Sequence, residues 1–255
     1  MNILSRALLL GLFLHSSNVL AGDFFVAREK ANFLRLDGDC DEAQTPQSTF
    51  KIPIALMGFE AKVLLSESLP KFTFDPKKHV AGINVCKGDH TPKEWMRDSC
   101  VWVSQEITAR LGLEKFQAFV TAFGYGNKDL SGPDALKTSW LNSTLKITPV
   151  QQLEFLQRLL DGQLPVSSKS LELTRKILHL QELPGGWQLY GKTGNGRSAQ
   201  GLQHGWFVGW IEKNDRRILF AQLLVDKAPE KTYASFRAKN QVLLKLWDVI
   251  EELEK

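Results

Sequence analysis

Strand-type segments stand at both ends of this 255-residue chain, and a long helical stretch separates them. Near the start, Phe24-Phe25-Val26-Ala27 and Phe33-Leu34-Arg35-Leu36, the second followed by Asp37-Gly38-Asp39, read as two strands of a hairpin. Near the end, Trp187 to Gly191, Gly205 to Ile211 and Ile218 to Val225 are dense in Trp, Phe, Val, Ile and Leu, and the last two flank the turn Lys213-Asn214-Asp215. Strand edges that far apart in sequence are satisfied by pairing with one another. The arrangement predicts an α/β (α+β) fold: a mixed α/β region whose antiparallel sheet is built from both termini, with a helical subdomain inserted over roughly residues 66–185.

The helical stretch carries clear punctuation. Ile52, Leu56, Met57, Phe59 and Val63 recur at helical spacing between Phe50 and Leu65, and Pro53 predicts an irregular first turn. Thr91-Pro92-Lys93-Glu94 and Thr148-Pro149-Val150-Gln151 each offer a capping hydroxyl, a proline at the first helical position and Glu or Gln at the third, which marks two helix starts. Gly112 and Gly162 are expected helix stops. Val101, Val103, Ile107 and Leu111, then Phe116, Phe119, Val120 and Phe123, form core stripes, and Val242, Leu246, Trp247 and Ile250 line one side of a final helix.

Composition narrows the function classes. Arg6, the apolar run Ala7 to Leu14 and Val19-Leu20-Ala21 have the layout of an export signal, so residues 1–21 are expected to be cleaved near Ala21, leaving one domain over 22–255. The apolar run falls short of the ~20 residues a spanning helix needs, so no membrane attachment is expected after cleavage. Net charge drops from +4 to about +3 once Arg6 is removed, too little to point to nucleic acid. The three cysteines, Cys40, Cys86 and Cys100, allow at most one disulfide and one free thiol, and their spacing does not fix the pairing. The five histidines lack metal-ligand spacing, so no metal is expected.

Four short motifs carry the chemistry. Ser48-Thr49-Phe50-Lys51 places a hydroxyl and an amine three residues apart, on neighbouring positions of one helical face, where an amine-derived base can act on a nucleophile. It is followed in order by Ser99-Cys100-Val101 at a helix junction, Tyr125-Gly126-Asn127 after a helix, and Lys192-Thr193-Gly194 on a late strand. This ordered set, with Trp140-Leu141 and Gly205-Trp206-Phe207-Val208-Gly209-Trp210, resembles the penicillin-recognising serine enzymes, specifically the class D serine β-lactamases or oxacillinases, over essentially the whole mature chain. Valine at 101, where relatives carry Asn, favours class D. So does the absence of a carboxylate among Lys137, Thr138, Ser139 and Trp140, just before Leu141-Asn142.

The resemblance implies hydrolysis of β-lactams, penicillins and oxacillin-type compounds among them, through a Ser48 acyl-enzyme. No cofactor is implied beyond carbon dioxide or bicarbonate, which would N-carboxylate Lys51 to give the general base. An ordinary lysine, with a pKa of ~10.4, is a poor base until burial lowers that value. Val101 and Leu141 would keep the site apolar, and the Trp140 indole N–H would support the carbamate. Ser99 is implied as a proton shuttle, although serine is also a favoured N-cap, and Lys192 as its electrostatic partner. Thr193 and Gly194 would bind substrate, and the backbone N–H groups of Ser48 and Asn195 would form the oxyanion hole. Arg237, with Arg197 as competitor, is the expected carboxylate-binding guanidinium. Tyr125, Gly126 and Asn127 are expected to be structural.

Further expectations follow from the resemblance. Cys40 lies where some family members have a cystine, with Cys86 its possible partner, which would leave Cys100 a buried thiol. The protein is expected in the periplasm, as a monomer or homodimer, with a small β-lactam as its partner molecule. The rival reading is a penicillin-binding or sensor module that is acylated without efficient turnover.

Overall fold

The computed structural model describes residues 22–198 and 200–254; the expected signal segment, residues 1–21, lies outside them. Six antiparallel strands form one sheet: β1 (Gly22–Glu29), β2 (Asn32–Asp37), β3 (His179–Leu183), β4 (Trp187–Arg197), β5 (Gln203–Lys213) and β6 (Arg216–Val225). Their spatial order is β2-β1-β6-β5-β4-β3, so the N-terminal hairpin joins the C-terminal strands through β1 and β6, as the sequence predicted. Asn214, at φ 53°, supplies the left-handed turn between β5 and β6.

Both faces of the sheet are covered, which explains why β5 is buried without interruption from Gln203 to Ile211. One face, carrying Phe25, Leu189, Phe207, Ile211 and Phe220, packs on Val242, Leu246 and Ile250 of α8 (Ala234–Glu254). The other, carrying Val26, Trp206, Val208 and Leu219, belongs to a larger core shared with the helices. Those are α1 (Lys51–Glu60), α2 (Pro92–Asp98), α3 (Val101–Leu111), α4 (Leu113–Ala122), α5 (Ala135–Thr138), α6 (Pro149–Leu160) and α7 (Ser168–Leu178).

Helix α1 runs through the centre of this core, and every residue from Lys51 to Phe59 is buried. It begins with a 3-10 turn over Gln47–Phe50, consistent with Pro53 lacking the N–H that would bond back into that turn. The helix ends at Glu60, short of the expected Leu65, because Lys62 turns left-handed at φ 58° and Leu64 N–H returns to Gly58 O. Both capping boxes form, Thr91 with Glu94 and Thr148 with Gln151, and Gly112 and Gly162 take the positive φ of a helix stop.

The cysteines depart from the sequence expectation. Cys86 is bonded to Cys100, and Cys40 is the free, buried thiol. Cys40 lies against the first hairpin, its thiol donating to the carbonyls of Phe25 and Asp37, while Cys86 lies far along the chain beside the α2–α3 junction. Burial, then the nearby Asp37, Asp39 and Asp41, pushes the Cys40 thiol up to about 11, so it is inert at neutral pH. Cys86, His90 and Cys100 are close enough together to suggest a metal site, but the disulfide occupies both sulfurs. The closed loop spans 14 residues, a length for which the constraint on the unfolded chain is worth about 3 kcal/mol. Urea unfolding with and without a dithiol reductant should differ by that order; coincident curves would show that the bond contributes no stability.

Candidate active site

Where β3 stops determines where the site opens. β3 pairs with β4 only from Trp187 to Tyr190, which leaves the edge of β4 beyond Gly191 unpaired by any strand. The nucleophile turn abuts that edge: a Cβ placed on Gly194 would lie 2.8 Å from Pro46 O and 3.1 Å from Ser48 N. Alternation along β4 turns Leu189 toward α8, with Thr193 and Asn195 on the same side, and leaves Lys192 and Gly194 on the Ser48 side.

Ser48 and Lys51 come together as their spacing predicts, with Lys51 Nζ donating to Ser48 Oγ at 3.1 Å. Lys51 is fully buried, and burial, then the charge of Lys192, drives its ammonium well below the usual lysine range. Burial and the charge of Lys239 lower Lys192 to about 7. Its Nζ donates to Thr193 O at 3.0 Å. Burial thus disfavours the charged form of two amines that would be cations in water.

Trp140 is wedged between Phe50, with which it stacks at 5.6 Å, and Phe116. Its carbonyl accepts Gln47 N–H at 2.8 Å, which ties it to the nucleophile turn. Its indole Nε1 is buried without a hydrogen-bond partner among the described residues. Val101 and Leu141 are half-buried, Leu141 packing against the main core.

Ser99 terminates α2 in a left-handed conformation, φ 63°, with its N–H bonded to Trp95 O. It is therefore the C-cap of α2 and not the N-cap of α3. Cys100 takes the N-cap place, and its disulfide anchors the junction. Tyr125, Gly126 and Asn127 clasp the segment after Trp140: Asn127 N–H donates to Lys146 O, its side-chain amide donates to Thr144 O, and Gly126 takes φ 53° against Lys146. The Tyr125 hydroxyl donates to Gln152 Oε1 at 3.4 Å, and burial raises its pKa far above the ordinary phenol value.

Arg237 is already paired with a carboxylate of the protein. Its Nη2 donates to both carboxylate oxygens of buried Asp226, at 2.6 and 2.7 Å. Arg197 donates to Gly201 O in the exposed turn that follows β4. The Asn195 side chain ties β4 to α8 by accepting Ser235 N–H and donating to Gln203 Oε1.

Gln47 went unnoticed in the sequence. It precedes the nucleophile with φ 53°, a strained value for a residue with a side chain, and its amide donates to Thr45 Oγ1 and Asn142 Oδ1 at 2.9 and 2.8 Å. His204 Nε2 lies 3.2 Å from the same Thr45 Oγ1. No motif marks partners drawn from positions 45, 142 and 204.

Burial lowers His204 from 6.5 to about 4, so the unfolded chain binds an extra proton between those two pH values. The stability tied to its neutral ring is intact above pH 6.5 and is lost as pH falls toward 4, by about 3 kcal/mol. In denaturant titrations at pH 7 and pH 4, His204→Gln should lose less stability on acidification than the parent chain; equal losses would exclude His204 as the source.

Residues 26–248 match the family described as the penicillin binding protein transpeptidase domain. Beta-lactamase OXA-1 of Escherichia coli is 38% identical over 80% of this chain and 75% of its own length. Beta-lactamase OXA-9 of Klebsiella pneumoniae is 34% identical over 84% of this chain and 82% of its own. The chain belongs to the class D β-lactamase family. The crystal structure of the class D β-lactamase OXA-427 agrees, with 38% identity and a TM-score of 0.85 over 91% of this chain and all of that one. This class D chain keeps the six-stranded sheet and surrounding helices of that fold. Among its described residues no helix is long and apolar enough to cross a membrane.

Proposed function

We propose that the protein hydrolyses β-lactam antibiotics, penicillins foremost, through an acyl-enzyme on Ser48, with an N-carboxylated Lys51 as general base. One observation carries the reading: a fully buried Lys51 amine lies 3.1 Å from Ser48 Oγ, and burial disfavours its charged form. A neutral amine can take up carbon dioxide, whereas an ammonium cannot. Trp140 Nε1, buried and without an acceptor among the described residues, fits the anionic oxygen that such a group would bring. When present, the group supplies a carboxylate-like base beside the nucleophile.

Ser48 gives its proton to that base as Oγ attacks the lactam carbonyl, and the backbone N–H groups of Ser48 and Asn195 receive the oxyanion. The C–N bond then breaks. Ser99 passes a proton to the departing nitrogen, and Lys192 keeps that transfer electrostatically favourable. A water, activated from the Lys51 side, opens the Ser48 ester and releases the product acid. Residues 1–21 would direct the chain to the periplasm, where such substrates arrive.

The test is a time course of penicillin hydrolysis by the purified protein with and without bicarbonate. Sustained turnover that rises with bicarbonate is expected. Consumption of one equivalent followed by silence would mean a penicillin sensor instead. Trp140→Phe removes a charge-assisted hydrogen bond of about 1.5–3 kcal/mol, so it should need roughly 10- to 100-fold more bicarbonate for half-maximal activity. An unchanged bicarbonate requirement would take Trp140 out of the site.

A further inference from the structure

A groove of about 870 Å³ opens along the free edge of β4, lined there by Lys192 and Thr193 and, from α8, by Phe236 and Lys239. The acidic groups that border it are already engaged. Glu67 pairs with Lys93 at 3.8 Å, and Glu94 accepts Thr91 N–H and its hydroxyl at the start of α2. Arg97, also on the border, is paired with Asp98. Lys239 is half-buried, its Nζ is 5.9 Å from the Phe207 ring, and it forms no ion pair among the described residues. Its charge is also felt by Lys192. Two amines, Lys192 and Lys239, therefore border the groove, and the acidic groups that share its border already have partners.

We infer that Lys239, on the second turn of α8, binds the substrate carboxylate in place of Arg237. The assignment rests on the β-lactam reading. A penicillin carries its carboxylate on the carbon attached to the lactam nitrogen, a few ångströms from the scissile bond. With the carbonyl at Ser48, against Gly194, that distance is about one residue spacing along the strand, ~3.3 Å, and leads to Thr193. Thr193 lies on the α8 side of β4, where Lys239 borders the same groove. Arg237 already serves another carboxylate. Freeing its guanidinium would strand Asp226, a buried anion, without its partner. An ammonium on a flexible stem, half-exposed and unspent, can move to meet a ligand; Arg237 is pinned.

The test uses the rate constant for acylation of Ser48, followed by mass spectrometry, for benzylpenicillin and for its uncharged methyl ester. Lys239→Met keeps the stem and removes the charge, whereas Lys239→Arg keeps the charge. Lys239→Met should acylate about 10- to 100-fold more slowly with the acid, with the loss in the half-saturating concentration, and should be unchanged with the ester. Lys239→Arg should restore most of the acid rate. Equal losses for acid and ester, or no loss with either, would overturn the assignment. A chain that is acylated without turning over still tests Lys239 and counts only against hydrolysis. A wild-type chain that is not acylated at all overturns both.

Discussion

Lys51→Ala is expected to leave a protein that accepts one equivalent of penicillin on Ser48 and holds it. On the proposed mechanism the amine 3.1 Å from Ser48 Oγ activates both the hydroxyl and the later water, and among the described residues no aspartate or glutamate is hydrogen-bonded to the Ser48 side chain. General-base catalysis is worth about 10²–10⁴ in rate, so steady-state turnover should fall at least about a hundredfold. Acylation should be slowed less, because the strained lactam and the oxyanion donors remain. Mass spectrometry of the protein after minutes and after hours separates the two steps. A persistent acyl adduct is the expected result, whereas turnover within tenfold of the parent would remove Lys51 from the mechanism. The substitution also deletes a buried polar group, so thermal unfolding should be followed in parallel to show that the variant is folded.

The parts of this site that sequence reveals are those whose partners are close in the chain or whose backbone demands a residue type. Ser48 and Lys51 are one helical turn apart, so their meeting needs only a helix start. The capping boxes at Thr91 and Thr148 and the stops at Gly112 and Gly162 are local for the same reason. Pairing of the first hairpin with the last strands was readable from pattern, since each apolar strand needs a neighbour. What escaped depends on distant positions meeting in space. The Cys86–Cys100 bond depends on how the segment before α2 folds back on the α2–α3 junction, and spacing carries no trace of that. The resemblance pointed to Cys40, which the structure places in another part of the core. Arg237 has the right type for a carboxylate, but only the structure shows that Asp226 already holds it. Lys239 stands two residues further along the same helix with nothing in the sequence to distinguish it.

Gly194→Ala should disable the site through backbone contact alone. A Cβ there would stand 2.8 Å from Pro46 O, 3.1 Å from Ser48 N and 3.2 Å from Gln47 Cβ. A flexible neighbour could move aside, but these atoms belong to a turn fixed from several directions. Gln47 N–H is bonded to Trp140 O, the Gln47 amide to Thr45 and Asn142, and the Thr45 carbonyl to the Trp206 indole. Relief must therefore come from displacing the edge of β4 or the nucleophile itself by a few tenths of an ångström. On the proposed mechanism either shift disturbs the pair of oxyanion donors, Ser48 N–H and Asn195 N–H, and one such donor is worth about 10²–10³ in rate. Overpacking at the edge of a sheet costs about 1–3 kcal/mol, which a protein with this much buried core can absorb, so the variant should fold and still fail to acylate. Gly88, where an added Cβ meets nothing within 4 Å, provides the comparison: Gly88→Ala should acylate at the parent rate. If Gly194→Ala also acylates at the parent rate, the close approach of β4 to the nucleophile turn contributes nothing to catalysis.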